Sequence, residues 1–135
     1  MDDLKRLDRQ ARRFGPGGVI MRLELNPEHW LSFGAGNRVS AMVGSSDALL
    51  GKGSVEVPAR FSAQDKLRLS GMLWPEARAR WANTAYVTQE RSGSGEVILF
   101  LDDPFFRAYF HGTKRLLENA ILLGPGLGAS TSAPW

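Results

Sequence analysis

The 135-residue sequence has no cysteine, which rules out disulfides, thiol nucleophiles and thiolate metal sites and leaves the redox compartment unread. Histidine is almost as scarce: His29 and His111 are the full complement. Ser32 and Lys114 stand three residues after them, so neither opens an H-x-x-E pair, and no H-E-x-x-H occurs. A zinc site needs several imidazole or carboxylate ligands at fixed spacing, so no metal and no other cofactor is expected. The phosphate-cradling loops are missing too; Gly34-Ala35-Gly36 lacks the third glycine of a dinucleotide fingerprint. A serine elbow of the form G-x-S-x-G is also absent: Gly93-Ser94-Gly95 has the wrong spacing, and Gly44-Ser45-Ser46-Asp47 has no second glycine in place.

Long apolar runs are lacking. None approaches the roughly 20 residues that span a bilayer, and the charged N-terminus has no apolar stretch of the signal-peptide kind. No membrane partner is expected, and the localisation is not legible. The net charge is only +3, and Lys5, Arg6, Arg9, Arg12 and Arg13 are interrupted by Asp2, Asp3 and Asp8. A nucleic-acid partner, which demands a concentrated basic face, is not expected.

What is present is the composition of one globular domain, 43% hydrophobic and 23% charged. Leu4, Leu7, Ala11 and Phe14 share a helical face, which predicts an amphipathic helix over residues 1–14. Residues 15–124 read as a single α/β domain, and the Gly-, Ser- and Pro-rich residues 125–135 as a disordered tail. Val19–Leu25 alternates as a strand, with Val19, Met21, Leu23 and Leu25 on one side. Val39–Val43 reads as a short strand, and Pro58 predicts that the segment around Val55 and Val57 lies at a sheet edge. Trp74-Pro75-Glu76 opens a short helix to about Trp81. Thr84–Arg91 and Glu96–Leu101 predict an antiparallel hairpin, with periodicity leaving open whether Tyr86 or Val87 points inward.

Glu96–Gly124 is the centre of this reading. Val97, Ile98, Leu99, Phe100 and Leu101 form a continuous run of the kind buried on both faces of a sheet. Asp103 and Pro104 then predict a helix start, and Gly124-Pro125 its end. A glycine inside a helix costs about 1 kcal/mol, so Gly112 leaves open a break with Thr113 capping a second segment. Within this unit Asp103, Arg107 and His111 recur every four residues and would line one helical flank, either as a cleft in which Arg107 grips a carboxylate or as surface ion pairing. Trp30, Trp74, Trp81 and Tyr86 are more simply packing residues than a sugar-stacking platform.

Three segments together form a known pattern: Glu28-His29-Trp30-Leu31-Ser32-Phe33-Gly34, then Leu69-Ser70-Gly71-Met72-Leu73-Trp74, then Gly93–Phe100 leading into Asp103-Pro104-Phe105-Phe106-Arg107 and His111–Ala120. Over about residues 15–124 the chain resembles the last part of the amidotransferase-like C-terminal domain of bacterial zinc carboxypeptidase-like proteins of the carboxypeptidase A type. The resemblance implies a mixed, twisted β-sheet with flanking helices, the C-terminal half of a flavodoxin-like, class I glutamine amidotransferase-like sandwich. It also implies a non-catalytic accessory or interaction domain without the zinc-binding catalytic domain, whose partner is a catalytic peptidase domain or a second copy in a homodimer. Trp30 stands where that family usually has proline, and no catalytic residue of the family maps onto any position here. The rival expectations are a hydrolase or amidohydrolase using His29 or His111 with a serine, and a small ligand-binding module. The cleft candidates are Asp103, Arg107, His111, His29 and Trp30.

Overall fold

The computed structural model describes residues 6, 9 and 12–128. The amphipathic stripe of Leu4, Leu7 and Ala11, and the tail beyond residue 128, lie outside the described residues. Alternating hydrophobicity produces strand β1 (Val19–Leu25), whose odd-numbered residues are buried and whose Ile20, Arg22 and Glu24 are half-exposed. It pairs in an unbroken antiparallel register with β2 (Arg38–Val43), so that Val19, Met21 and Leu23 lie beside Val43, Ala41 and Val39. The other side of β1 is shared. Strand β3 (Glu56–Phe61) covers Leu23–Leu25, and the short β4 (Arg68–Ser70) covers Ile20 and Met21. Between them the chain leaves the sheet, and Arg22 bridges the gap: its N–H donates to Leu67 O and its carbonyl accepts from Ser62 N–H.

Helix α1 (Pro75–Trp81) opens with proline at its first turn, where the missing N–H costs nothing. Strands β5 (Ala85–Ser92) and β6 (Gly95–Phe100) form the expected hairpin, closed by Gly93 at φ +61°. The sheet is six-stranded in the order β2-β1-β3-β5-β6, with β4 attached to β1. Its face packs on helix α2 (His111–Leu123) through Thr113, Leu116 and Asn119, all buried. Phe61 is the hub, with Trp81 and Tyr86 edge-on to its ring at 5.4 and 5.8 Å.

The architecture is therefore a mix of strand and helix around a curled antiparallel sheet. Several particulars depart from expectation. A mixed sheet was expected, but every strand pair among the described residues is antiparallel. The reason lies in the connections, since no helical crossover links hydrogen-bonded neighbours in a parallel sense. The edge expected at Pro58 is only local: strand β3 runs between β1 and β5, but the β1 ladder covers only Ala59–Phe61, so Pro58 sits just beyond it and its missing N–H breaks no bond to β1. Its carbonyl accepts from Asn26 N–H.

The helix expected from Asp103 starts only at His111. Asp103 Oδ1 accepts from the Phe105 N–H two residues on, a local turn that competes with helix formation. Arg107 and Ala108 then adopt left-handed backbone at φ 50° and 55°, which ends the intervening 3-10 turn Phe106–Ala108. Gly112 is inside the helix rather than at a break. A Cβ there would lie 2.4 Å from Val39, so glycine is what lets α2 approach β2.

Candidate functional site

The five polar and aromatic candidates do not converge. Asp103 is exposed and spent on its own turn, and Arg107 lies over the Phe106 ring at 5.4 Å. Because the helix begins at His111, the four-residue spacing places the three residues in a turn, a 3-10 segment and a helix start rather than on one flank. Among the described residues no ion pair joins Asp103, Arg107 and His111. His111 lines an open cleft of about 490 Å³ with Gly34, Gly112, Lys114 and Arg115, where both cations pair with Glu118.

His29 and Trp30 come together elsewhere, with rings stacked at 5.7 Å. The buried His29 caps the 3-10 turn Trp30–Ser32: its Nδ1 accepts from Leu31 N–H at 3.1 Å, so the proton of the neutral ring is on Nε2. Nε2 faces Glu56 at 3.2 Å, too obliquely for a hydrogen bond. Neighbouring Gln89 is buried and gives its amide to Glu96, and its Oε1 has no partner among the described residues. The Ser32 hydroxyl donates to Pro58 O and not to an imidazole. Asn119 straps the turn to α2, its amide donating to Leu31 O and Phe33 O at 2.8 Å each. These contacts position backbone. Among the described residues no group of three or more His, Cys, Asp or Glu could hold a metal ion.

Trp81 and Tyr86 belong to the core, and Trp74 packs against Phe14. Burial, reinforced by the charges of Asp102 and Asp103, pushes the Tyr86 phenol above its ordinary pKa.

The feature with the chemistry of a binding site is the open side of β6. Leu101 N–H donates to Tyr86 O, and antiparallel partners alternate between pairs that exchange hydrogen bonds and pairs that do not. By that alternation Val97 and Leu99 turn their backbone groups toward β5, and Glu96, Ile98 and Phe100 turn theirs outward. Both faces of this strand are apolar. On the outer face Val97 and Leu99 are 46% and 51% exposed, beside Leu50 at 77%. On the inner face Ile98 lines a groove of about 320 Å³ with Glu96, Ala120, Gly124 and Pro125, and Ile121 is exposed in the same turn of α2. The β5–β6 register has no bulge, β6 carries no proline or lysine and only one charge, Glu96, and among the described residues no strand pairs with its outer side.

Sequence reasoning singled out Val97–Leu101 for burial on both faces but not for an edge position. It also passed over Asp102. Asp102 Oδ2 accepts from the N–H groups of Gly44 and Ser45 at 2.7 and 3.0 Å, tying the end of β6 to the end of β2 and curling the sheet. The only sequence signal was a second acid ahead of Pro104. No family model, curated protein or solved structure matches the chain.

Proposed function

We propose that this chain is a non-catalytic interaction domain that takes an extended segment, apolar on both faces, as an added strand along β6. One observation carries the reading: a strand with the composition of a sheet interior stands at a sheet edge, with the backbone groups of Glu96, Ile98 and Phe100 unpaired among the described residues. Main-chain hydrogen bonds would supply affinity, and the grooves on either side would select apolar side chains.

The relation to the accessory domain of zinc carboxypeptidase-like proteins belongs to the same proposal. It is supported by the Asp-Pro-x-Phe-Arg and Gly-Thr-x-x-Leu-Leu-x-Asn-Ala elements, which here build the turn after β6 and the buried face of α2. A flavodoxin-like sandwich is built on parallel strands, and the antiparallel pairs described here are not of that kind.

The test is amide exchange with a synthetic strand peptide, alternating valine and isoleucine between terminal lysines so that both faces are apolar. The peptide is expected to protect the amides of Glu96, Ile98 and Phe100 and to leave those of Arg38, Ser40 and Met42 unchanged. Absence of protection at millimolar peptide, or equal protection at both edges, would overturn the reading.

A further inference from the structure

We infer that the occupant of the β6 edge is a second copy of this chain, added antiparallel about a two-fold axis through Ile98. This rests on the reading of β6 as the docking edge and names its partner. The outward backbone groups belong to alternate residues Glu96, Ile98 and Phe100, so the possible ladders differ by steps of two. Only the register that sets Ile98 opposite its own copy engages all three, with Glu96 facing Phe100 of the other copy on each side. In that register the one charged residue of the strand never meets itself, so like charges are not placed opposite each other across the dyad.

The side chains agree with this arrangement. Val97 falls opposite Leu99 of the other copy on the outer face, and the two pairs join into one apolar strip beside Leu50. A two-fold axis perpendicular to the sheet keeps both α2 helices on the same face, so the grooves at Ile98 meet across the dyad. The opposite edge admits the same kind of register, with Ser40 on the dyad and Arg38 facing Met42, so charge does not separate the two edges. What separates them is the exposed apolar strip of Val97, Leu99 and Leu50, which only the β6 edge carries among the described residues.

The absence of cysteine makes the register directly testable. In the proposed dimer residues 97 and 99 form a non-hydrogen-bonded pair with Cα atoms about 4.5 Å apart, inside the disulfide range, whereas 97 and its own copy are diagonal neighbours about 7–8 Å apart. Sedimentation of the full chain at about 100 µM, a concentration suited to a small strand-to-strand interface, is expected to show a mass rising from 14.9 kDa toward twice that value. Under mild oxidation a mixture of Val97→Cys and Leu99→Cys chains is expected to cross-link at least ~10-fold faster than either alone, given that distance difference. Val97→Lys, at an exposed position, is expected to restore the monomer without unfolding it.

A chain that remains at 14.9 kDa, or variants that self-pair as fast as they cross-pair, would overturn the inference. The strand-peptide exchange experiment separates the two levels. A monomer whose Glu96, Ile98 and Phe100 amides the peptide protects loses the second copy and keeps the docking edge; a monomer without protection loses both.

Discussion

The two ends of the sheet are built from strands of equal length and opposite character. Strand β2 is one-sided: Val39, Ala41 and Val43 face the core, while Arg38, Ser40 and Met42 face away. It is also held at both ends, by Gly112 of α2 against Val39 and by the Asp102 carboxylate on Gly44 and Ser45. Strand β6 is apolar on both sides, with Ile98 and Phe100 half-buried and Val97 and Leu99 exposed. A polar outer face is the ordinary way to finish a sheet; an exposed apolar one is the kind found at interaction surfaces and at aggregation-prone edges. The difference locates the candidate site more firmly than any titratable residue does.

The largest perturbation of this comparison would come from the centre that both edges share. Phe61→Ala should lower the unfolding free energy by about 3–5 kcal/mol, the usual cost of removing a buried aromatic ring, because it strips contacts from Trp81 and Tyr86 together. Urea titration would check it, and a loss under 1 kcal/mol, below the usual range for such truncations, would mean that the ring is not the hub. Next is the link between the edges. Asp102→Ala leaves the Gly44 and Ser45 N–H groups without their acceptor, and a cost of about 1–3 kcal/mol is expected for hydrogen bonds to a charged group. Amide exchange at Gly44 and Ser45 should accelerate in the same variant while that of the β5–β6 ladder holds.

The smallest effect at neutral pH concerns Tyr86, whose carbonyl accepts the last bond of the hairpin and whose hydroxyl is buried without a partner among the described residues. Its folded-state pKa is raised by burial and then by Asp102 and Asp103. The neutral phenol is thus favoured in the folded chain. Below the unfolded value near 10 this contribution is fully present, and it is lost as pH rises toward the folded value, by at most about 1.4 kcal/mol per pH unit from this group. Comparing the wild-type chain with Tyr86→Phe between pH 9 and pH 11, a window set by the ordinary phenol pKa, should show a slope in the former that is much reduced in the latter. Equal slopes would assign the alkaline loss to other groups.

Much of the scaffold was legible in the chain. Strand β1 follows from strict alternation, which has a single solution once one face is buried. The β5–β6 hairpin follows from a glycine-bearing turn between two apolar runs, and α1 from proline at its first turn. Asn119 bonds the carbonyls of Leu31 and Phe33, more than eighty residues away in the chain, a pairing no local pattern shows. The Asp103–His111 flank failed because a spacing of four has meaning only inside a helix. Whether residues 103–111 were helical was decided by an aspartate bonding its own turn and by two left-handed residues.

The sequence alone determined which strands alternate, where the hairpin turns, and that metal, thiol and phosphate-loop chemistry has no motif in this chain. These are local matters, settled by period, turn residues and the presence or absence of a side-chain type. Only the tertiary structure decided that Pro58 lies in an interior strand, that Asp102 curls the sheet, and that the most apolar strand stands at its edge. Strand order depends on pairings between distant segments, and the composition of one strand reports how many neighbours it suits, not how many it has.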